Sequence, residues 1–106
     1  MISKQTVGVV EYKAGNLKSI FRTLNYIGVN YKILSHYKEF KDCDKIILPG
    51  VGNFDYCMQY LKKNKLDIEI KKAANQKKII YGICMGMQIM FKSSEESKIS
   101  SGLSLI

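Results

Sequence analysis

The chain has 106 residues, of which 46% are hydrophobic and 25% charged, so it is sized for one domain of ordinary globular composition. Its net charge of +8 comes from 17 basic and 9 acidic residues. Arg22 is the only arginine, so the forked donor that reads phosphates and guanines is nearly absent and we expect no nucleic-acid partner. We also expect no membrane partner and a cytoplasmic location, because no apolar run is long enough to span a bilayer and the start lacks a signal-peptide layout.

The first third of the chain predicts a strand, a helix and a second strand. Residues 6–11 form a short apolar run typical of a buried parallel strand, and a turn follows at residues 12–15. Asn16 has the chemistry of a helix N-cap, and Gly28 of a helix end. Between them, apolar residues recur on one helical face: Leu17, Ile20, Phe21, Leu24 and Ile27. Residues 29–33 then alternate as a second strand.

The remaining elements continue the same alternation of strands and helices. Residues 35–44 predict a short helix or a loop. After it the sequence predicts a strand at 45–48, a helix around Phe54, Met58 and Leu61, a helix at 66–75, a strand at 78–83 and a helix at 85–91. Because no hairpin signal occurs, we expect an α/β fold in which a parallel sheet carries helices on both faces.

The cysteines and the one histidine argue against a disulfide scaffold and a metal site. Cys43, Cys57 and Cys84 cannot all pair, form no Cys-x-x-Cys unit and have no histidine at metal-ligand spacing. His36 lies in a polar stretch, which is typical of a surface or loop histidine. Cys43 and Cys57 have no chemical context, so we expect structural roles for them.

Cys84 lies between two glycines, Gly82 and Gly86, at a predicted strand-to-helix junction. This is the cysteine version of the Gly-x-Ser-x-Gly nucleophile elbow. The sharp turn that presents a nucleophile needs neighbours without side chains, or the strand and helix cannot approach each other. A small buried cysteine is the ordinary alternative, and the motif alone leaves redox, esterase-like and amidotransferase chemistry open.

Ligands of such sheets bind outside the carboxyl ends of the strands. The glycines concentrate in three segments there, residues 12–16, 49–53 and 84–88. A nucleophile also needs donors for the developing oxyanion. The backbone amide of Met85 is one candidate, and the loop of Gly50, Val51 and Gly52 could bring a second amide close. No Gly-x-Gly-x-x-Gly loop supports a dinucleotide site.

Four segments together resemble the class I glutamine amidotransferase family, and within it the glutaminase subunits of imidazole glycerol phosphate synthases. They are residues 10–19 (VEYKAGNLKS), 47–54 (ILPGVGNF), 81–88 (YGICMGMQ) and 91–96 (FKSSEE). Their order and spacing match throughout the chain. The resemblance implies a flavodoxin-like domain of which residues 1–106 are the N-terminal part.

The resemblance also implies roles for particular residues. Cys84 would attack the carboxamide of L-glutamine and form a thioester, releasing ammonia to a (β/α)8-barrel cyclase partner. The amides of Gly52 and Met85 would hold the oxyanion, with Gly50 and Val51 shaping the loop. Gln88 and Glu96 would help to hold the amino-acid end of glutamine. Tyr12, Lys13 and Asn16 would face the cyclase, and no cofactor or metal is implied.

The resemblance covers only the first half of the family domain. The family's catalytic His and Glu, two positions apart, lie near the end of a chain about twice as long, so we expect no meaningful glutaminase activity from these 106 residues alone. We also expect uncovered backbone edges of the sheet and uncovered apolar helix faces, which favour association or disorder, and a strand entry at residues 101–105.

Two departures keep other functions open. Glu11 and Lys13 replace the family's common aspartate and glycine, which favours as an alternative a paralogue that supplies ammonia to a surface-sugar amidotransferase. An inactive fragment that acts only as a binding module is another alternative. A thiol redox protein is a third, although it would not require Gln88 or the Ser-Glu-Glu of residues 94–96.

Overall fold

The computed structural model describes residues 6–12, 17–50, 53–91 and 101–106. Within these ranges, strands and helices alternate along the chain. In order, the elements are β1 (Val7–Val10), α1 (Lys18–Ile27), β2 (Tyr31–Leu34), a 3₁₀ helix (Tyr37–Asp42), β3 (Lys45–Leu48), α2 (Phe54–Lys63), α3 (Leu66–Asn75), β4 (Ile79–Gly82) and α4 (Met85–Gln88). The bounds of β3 and α3 agree with the prediction.

The strands form one sheet in the order β2-β1-β3-β4, and every neighbouring pair is parallel. Val9 of β1 pairs with Ile33 of β2 on one side and with Ile47 of β3 on the other. Ile47 pairs in turn with Tyr81 of β4. The predicted parallel α/β sheet is therefore confirmed. None of the helices in the described ranges is both long and apolar enough to cross a membrane.

Alternating strand residues pack against helices on opposite faces of the sheet. On one face, strand residues such as Ile46 and Leu48 join α2 and α3 in a continuous buried cluster, whose helical members include Phe54, Met58, Leu61 and Ile70. On the other face, α1 packs through Leu24, and a groove of about 250 Å³ separates α1 from Ile47 and Tyr81. The predicted layers on both faces are thus present.

The face that carries α1 is only partly covered. Ile79 is 59% exposed and Tyr81 is 63% exposed, because both lie on β4, the outer strand of the described sheet. Tyr26 and Ile27 at the end of α1 are also exposed. The expected uncovered apolar surface is therefore present along β4 and the end of α1.

Three local elements differ from the prediction or resolve it. The segment after β2 is a 3₁₀ helix with a capped N-terminus: His36 Nδ1 accepts the Lys38 backbone amide at 3.2 Å, and the Glu39 carboxylate accepts the His36 backbone amide at 2.7 Å. α4 ends at Gln88 rather than at residue 91. Residues 101–106 form no strand, and the amides of residues 103–106 bond instead to the carbonyls of residues 89–91.

Candidate active site

The carboxyl ends of β1, β3 and β4 lie side by side, because these strands are neighbours and parallel. Tyr12 follows β1, Gly50 follows β3 and Cys84 follows β4. Adjacent strands are about 4.8 Å apart, so residues distant in sequence meet at this edge. The described residues of all three glycine-rich segments predicted from the sequence are therefore close in space.

Cys84 occupies a sharp turn between β4 and α4. Its backbone has φ 53° and ψ −118°, a combination that L residues rarely adopt and that costs about 1 to 3 kcal/mol. The flanking Met85 and Gly86 are buried, whereas the Cys84 side chain is exposed. The predicted elbow is present, and its backbone presents the thiol outward.

The two glycines of the elbow are required by close backbone contacts. A Cβ at Gly82 would lie 2.7 Å from Met87 Cα, inside the helix that follows. A Cβ at Gly86 would overlap the carbonyl oxygen of Leu48 and lie 2.5 Å from its carbon. The first contact joins β4 to α4 and the second joins α4 to β3. The steric reason inferred from the sequence is therefore confirmed.

The backbone amide of Met85 is held by the neighbouring loop. It donates a hydrogen bond of 2.9 Å to the carbonyl oxygen of Gly50, and the Ile83 amide donates one of the same length to Leu48. These bonds extend the contact between β3 and β4 beyond the strands themselves. Gly50 has φ 147°, a conformation that favours glycine. The Met85 amide, which the sequence suggests as an oxyanion donor, thus bonds to a protein carbonyl in this structure.

Tyr12 is packed under this loop. Its side chain is 2% exposed, and a methyl group at Gly50 would overlap its hydroxyl and lie 2.9 Å from Cζ. Burial, with smaller contributions from Cys57 and Glu11, raises the pKa of Tyr12 above its usual value. The ring therefore faces the interior of this edge, whereas the family resemblance implies that Tyr12 faces a partner. The signal that could have indicated the contact is Gly50 itself, which leaves room for a ring from the neighbouring strand end.

The other predicted site residues are only partly described. Gln88 lies one turn after Cys84 and is half-buried. Its backbone amide donates to the Cys84 carbonyl at 3.2 Å. Five predicted residues lie outside the described ranges: Lys13, Asn16, Val51, Gly52 and Glu96. Among the residues that the structure does describe, no group of acidic, cysteine and histidine side chains is arranged to hold a metal.

The remaining cysteines and the histidine lie apart from this edge or below it. Cys43 and Cys57 are free and buried, and burial raises the pKa of each thiol, that of Cys57 to about 11. They are neutral side chains of the interior, as predicted. His36 follows β2, three strands away from β4, which corresponds to about 14 Å. Its exposed ring stacks on Tyr37 at 4.4 Å, so the prediction of a surface histidine is confirmed.

Comparison with known families identifies the family of proteins to which this chain belongs. Residues 6–106 match the CobB/CobQ-like glutamine amidotransferase domain. The chain belongs to the glutamine amidotransferase family. This membership accounts for the parallel sheet and for a cysteine at the end of β4, and it excludes unrelated α/β folds as the source of the pattern.

Two curated relatives are imidazole glycerol phosphate synthase subunits named HisH. The protein of Listeria innocua is 42% identical over 98 residues and that of Bacillus licheniformis is 44% identical over 100 residues. The matches cover 92% and 94% of this chain but 47% of each relative. This glutamine amidotransferase chain therefore spans about half the length of the relatives it matches.

Solved structures share its fold. A putative peptidase E protein from Listeria monocytogenes matches 96% of the chain and 63% of its own length, with a TM-score of 0.76 and 17% identity. PurLQS from Thermotoga maritima matches 83% of the chain and 43% of its own length, with a TM-score of 0.64 and 30% identity. The sheet and helices thus follow a flavodoxin-like, amidotransferase-type arrangement.

Proposed function

We propose that residues 1–106 are the N-terminal part of a single glutamine amidotransferase domain and carry the nucleophile of a glutaminase. The observation that carries the proposal is the elbow, in which a strained turn exposes Cys84 beside the Gly50 loop. Similarity to the HisH subunits supports a place in imidazole glycerol phosphate synthase, and hence in histidine biosynthesis.

The reaction begins when the Cys84 thiolate attacks the side-chain carboxamide carbon of L-glutamine. The carbonyl oxygen becomes an oxyanion, and the carbon–nitrogen bond then breaks as the leaving nitrogen takes a proton and departs as ammonia. A γ-glutamyl thioester remains on Cys84. Water attacks this thioester, releasing glutamate and returning the thiol. These reaction steps need neither a metal nor a cofactor.

Two backbone amides would stabilise the oxyanion, that of Met85 and that of Gly52. The Met85 amide donates to the Gly50 carbonyl at 2.9 Å, so it must exchange that carbonyl for the substrate oxygen. Val51 lies between the two loop glycines and would turn with them. In the reactive conformation the loop after β3 would therefore no longer accept the hydrogen bond of the Met85 amide.

Other groups would complete the site. Gln88, the last residue of α4, and Glu96 would hold the amino-acid end of glutamine. Lys13 and Asn16 would face a (β/α)8-barrel cyclase that receives the ammonia in a heterodimer, and Tyr12 would support that surface from beneath. We propose a cytoplasmic location for the assembled enzyme.

The base that takes the thiol proton would come from outside these 106 residues. His36 is the only histidine of the sequence, and it caps the 3₁₀ helix on the far side of the sheet. In the resembled family a His and a Glu two positions apart supply the base and its orienting group. Those residues would have to approach Cys84 from the exposed side of the elbow.

A chloroketone analogue of L-glutamine tests the proposal. Its carbonyl carbon lies where the carboxamide would be, and Cys84 would displace chloride to form a thioether that peptide mass spectrometry locates. We expect labelling of Cys84 well above that by chloroacetone, which carries the same electrophile without the amino-acid end. Cys84→Ser abolishes the labelling, whereas Cys57→Ala, at a fully buried position, retains it. Equal rates with the two reagents would remove the support for a glutamine site.

A further inference from the structure

The hydroxyl of Tyr12 is the buried polar group that the proposed chemistry does not use. Tyr12 is 2% exposed, and among the described residues its hydroxyl has no hydrogen-bond partner. Buried hydroxyls are nearly always bonded, because they lose their water on burial. The cost of leaving this one unbonded indicates that something holds the ring where it is.

The Tyr12 ring contacts Gly50, the residue whose carbonyl accepts the hydrogen bond of the Met85 amide. Gly50 packs so closely on Tyr12 that a methyl group there would lie 2.9 Å from Cζ and 3.0 Å from Cε2. The carbonyl of the same glycine accepts the Met85 amide at 2.9 Å. A direct line of contact therefore runs from β1 through Gly50 to the first residue of α4.

We propose that Tyr12 is a positioning residue that sets how firmly the Gly50 carbonyl holds the Met85 amide. This rests on the proposed function, in which that amide must leave the carbonyl to meet the oxyanion. The ring holds the loop in place by filling the space under Gly50. The unbonded hydroxyl has the opposite effect. It favours movement of Gly50, because a shift of Gly50 would let the hydroxyl form a hydrogen bond with an acceptor or water.

Two substitutions separate these opposing parts. Tyr12→Phe keeps the ring and removes the unbonded hydroxyl, so the Gly50 carbonyl holds the amide more firmly. Tyr12→Ala removes the ring as well, so Gly50 is free to move. We expect hydrogen exchange of the Met85 amide to slow several-fold in the first variant and to accelerate by about tenfold in the second.

Neighbouring amides serve as internal references. If Tyr12 only stabilised the fold as a whole, the exchange rate of Met85 relative to these amides would not change. The Ile83 amide bonds to Leu48 at 2.9 Å and the Ile89 amide bonds to Met85 at 3.0 Å, so both flank the Met85 amide without touching Gly50. Exchange is measured by NMR on the 106-residue chain, and the Met85 rate is divided by each flanking rate. General loosening of the fold by Tyr12→Ala changes all three rates alike and cancels in the ratio.

Opposite shifts of this ratio in the two variants are the result expected. A ratio unchanged in both variants, or shifted in the same direction in both, would overturn the positioning role. Labelling by the glutamine chloroketone is measured in parallel and should change in the same sense as the exchange ratio. If the unsubstituted chain is not labelled at all, the glutaminase proposal fails, while the exchange ratio still decides the role of Tyr12 in holding the loop.

Discussion

Cys84 and Cys57 are the same side chain in opposite settings. Cys57 lies in the middle of α2, is fully buried, and its thiol is kept neutral because burial raises its pKa to about 11. Cys84 lies on a strained turn between β4 and α4 and is exposed. The difference comes from the backbone and its glycines, which shows that position in the fold makes a cysteine available for chemistry.

The largest expected effect tests whether the elbow depends on its glycines. Gly86→Ala places a methyl group on the Leu48 carbonyl, and we expect it to lower the free energy of unfolding by at least about 3 kcal/mol. Gly28→Ala is the matched control, because Gly28 has φ 75° and open space around it, so it costs about 1 kcal/mol from backbone strain alone. Urea unfolding measures both, and equal losses would contradict the steric account.

The second prediction applies one substitution to the two cysteines. Cys57→Ser buries a hydroxyl within the apolar cluster and should destabilise the chain by about 2 kcal/mol. Cys84→Ser keeps an exposed polar group in the same turn and should change stability by less than about 0.5 kcal/mol. Thermal unfolding distinguishes the two, and a larger loss at Cys84 would reverse the comparison.

The third prediction uses pH. Burial raises the pKa of the Cys57 thiol from its usual 9.0 to about 11, so its contribution to stability is complete below pH 9 and is lost as pH rises through 11. We expect the free energy of unfolding to fall by on the order of 1 to 2 kcal/mol over this window. Cys57→Ala should make this fall smaller without abolishing it, because burial also raises the pKa of Cys43, and above pH 10 Tyr12, whose pKa is raised as well, contributes a fall of the same sign. An unchanged pH profile in Cys57→Ala would contradict this assignment.

Much of the fold follows from local patterns. Apolar runs and helical spacing predict the four strands and the α-helices of the described chain, because β1 is apolar throughout and the helices each bury one face, with turn residues such as Gly28 at their ends. The elbow is equally local, since its glycines stand two positions from Cys84. For residues 35–44 the sequence predicts only a short helix or a loop, because the His36 and Glu39 caps at the start of the 3₁₀ helix are weak signals on their own.

What the sequence does not predict are contacts between strand ends. Tyr12 and Gly50 are far apart in sequence, and only the order β1-β3-β4 brings them together. The same order places the Gly50 carbonyl on the Met85 amide, an occupied donor that no local pattern indicates. The end of α4 at Gln88 is also a tertiary effect, because residues 103–106 bond to the carbonyls that follow it.

Protection of Cys84 by L-glutamine tests the central claim, the proposed glutaminase nucleophile, most directly. The chain is treated with iodoacetamide in the presence of L-glutamine or D-glutamine, and the alkylation rate of each cysteine is followed by mass spectrometry. We expect L-glutamine to slow alkylation of Cys84 in a saturable manner and D-glutamine to have no effect, with Cys43 and Cys57 unreactive in both cases because they are buried. Equal alkylation of Cys84 with the two enantiomers would contradict its assignment as a glutamine-directed nucleophile.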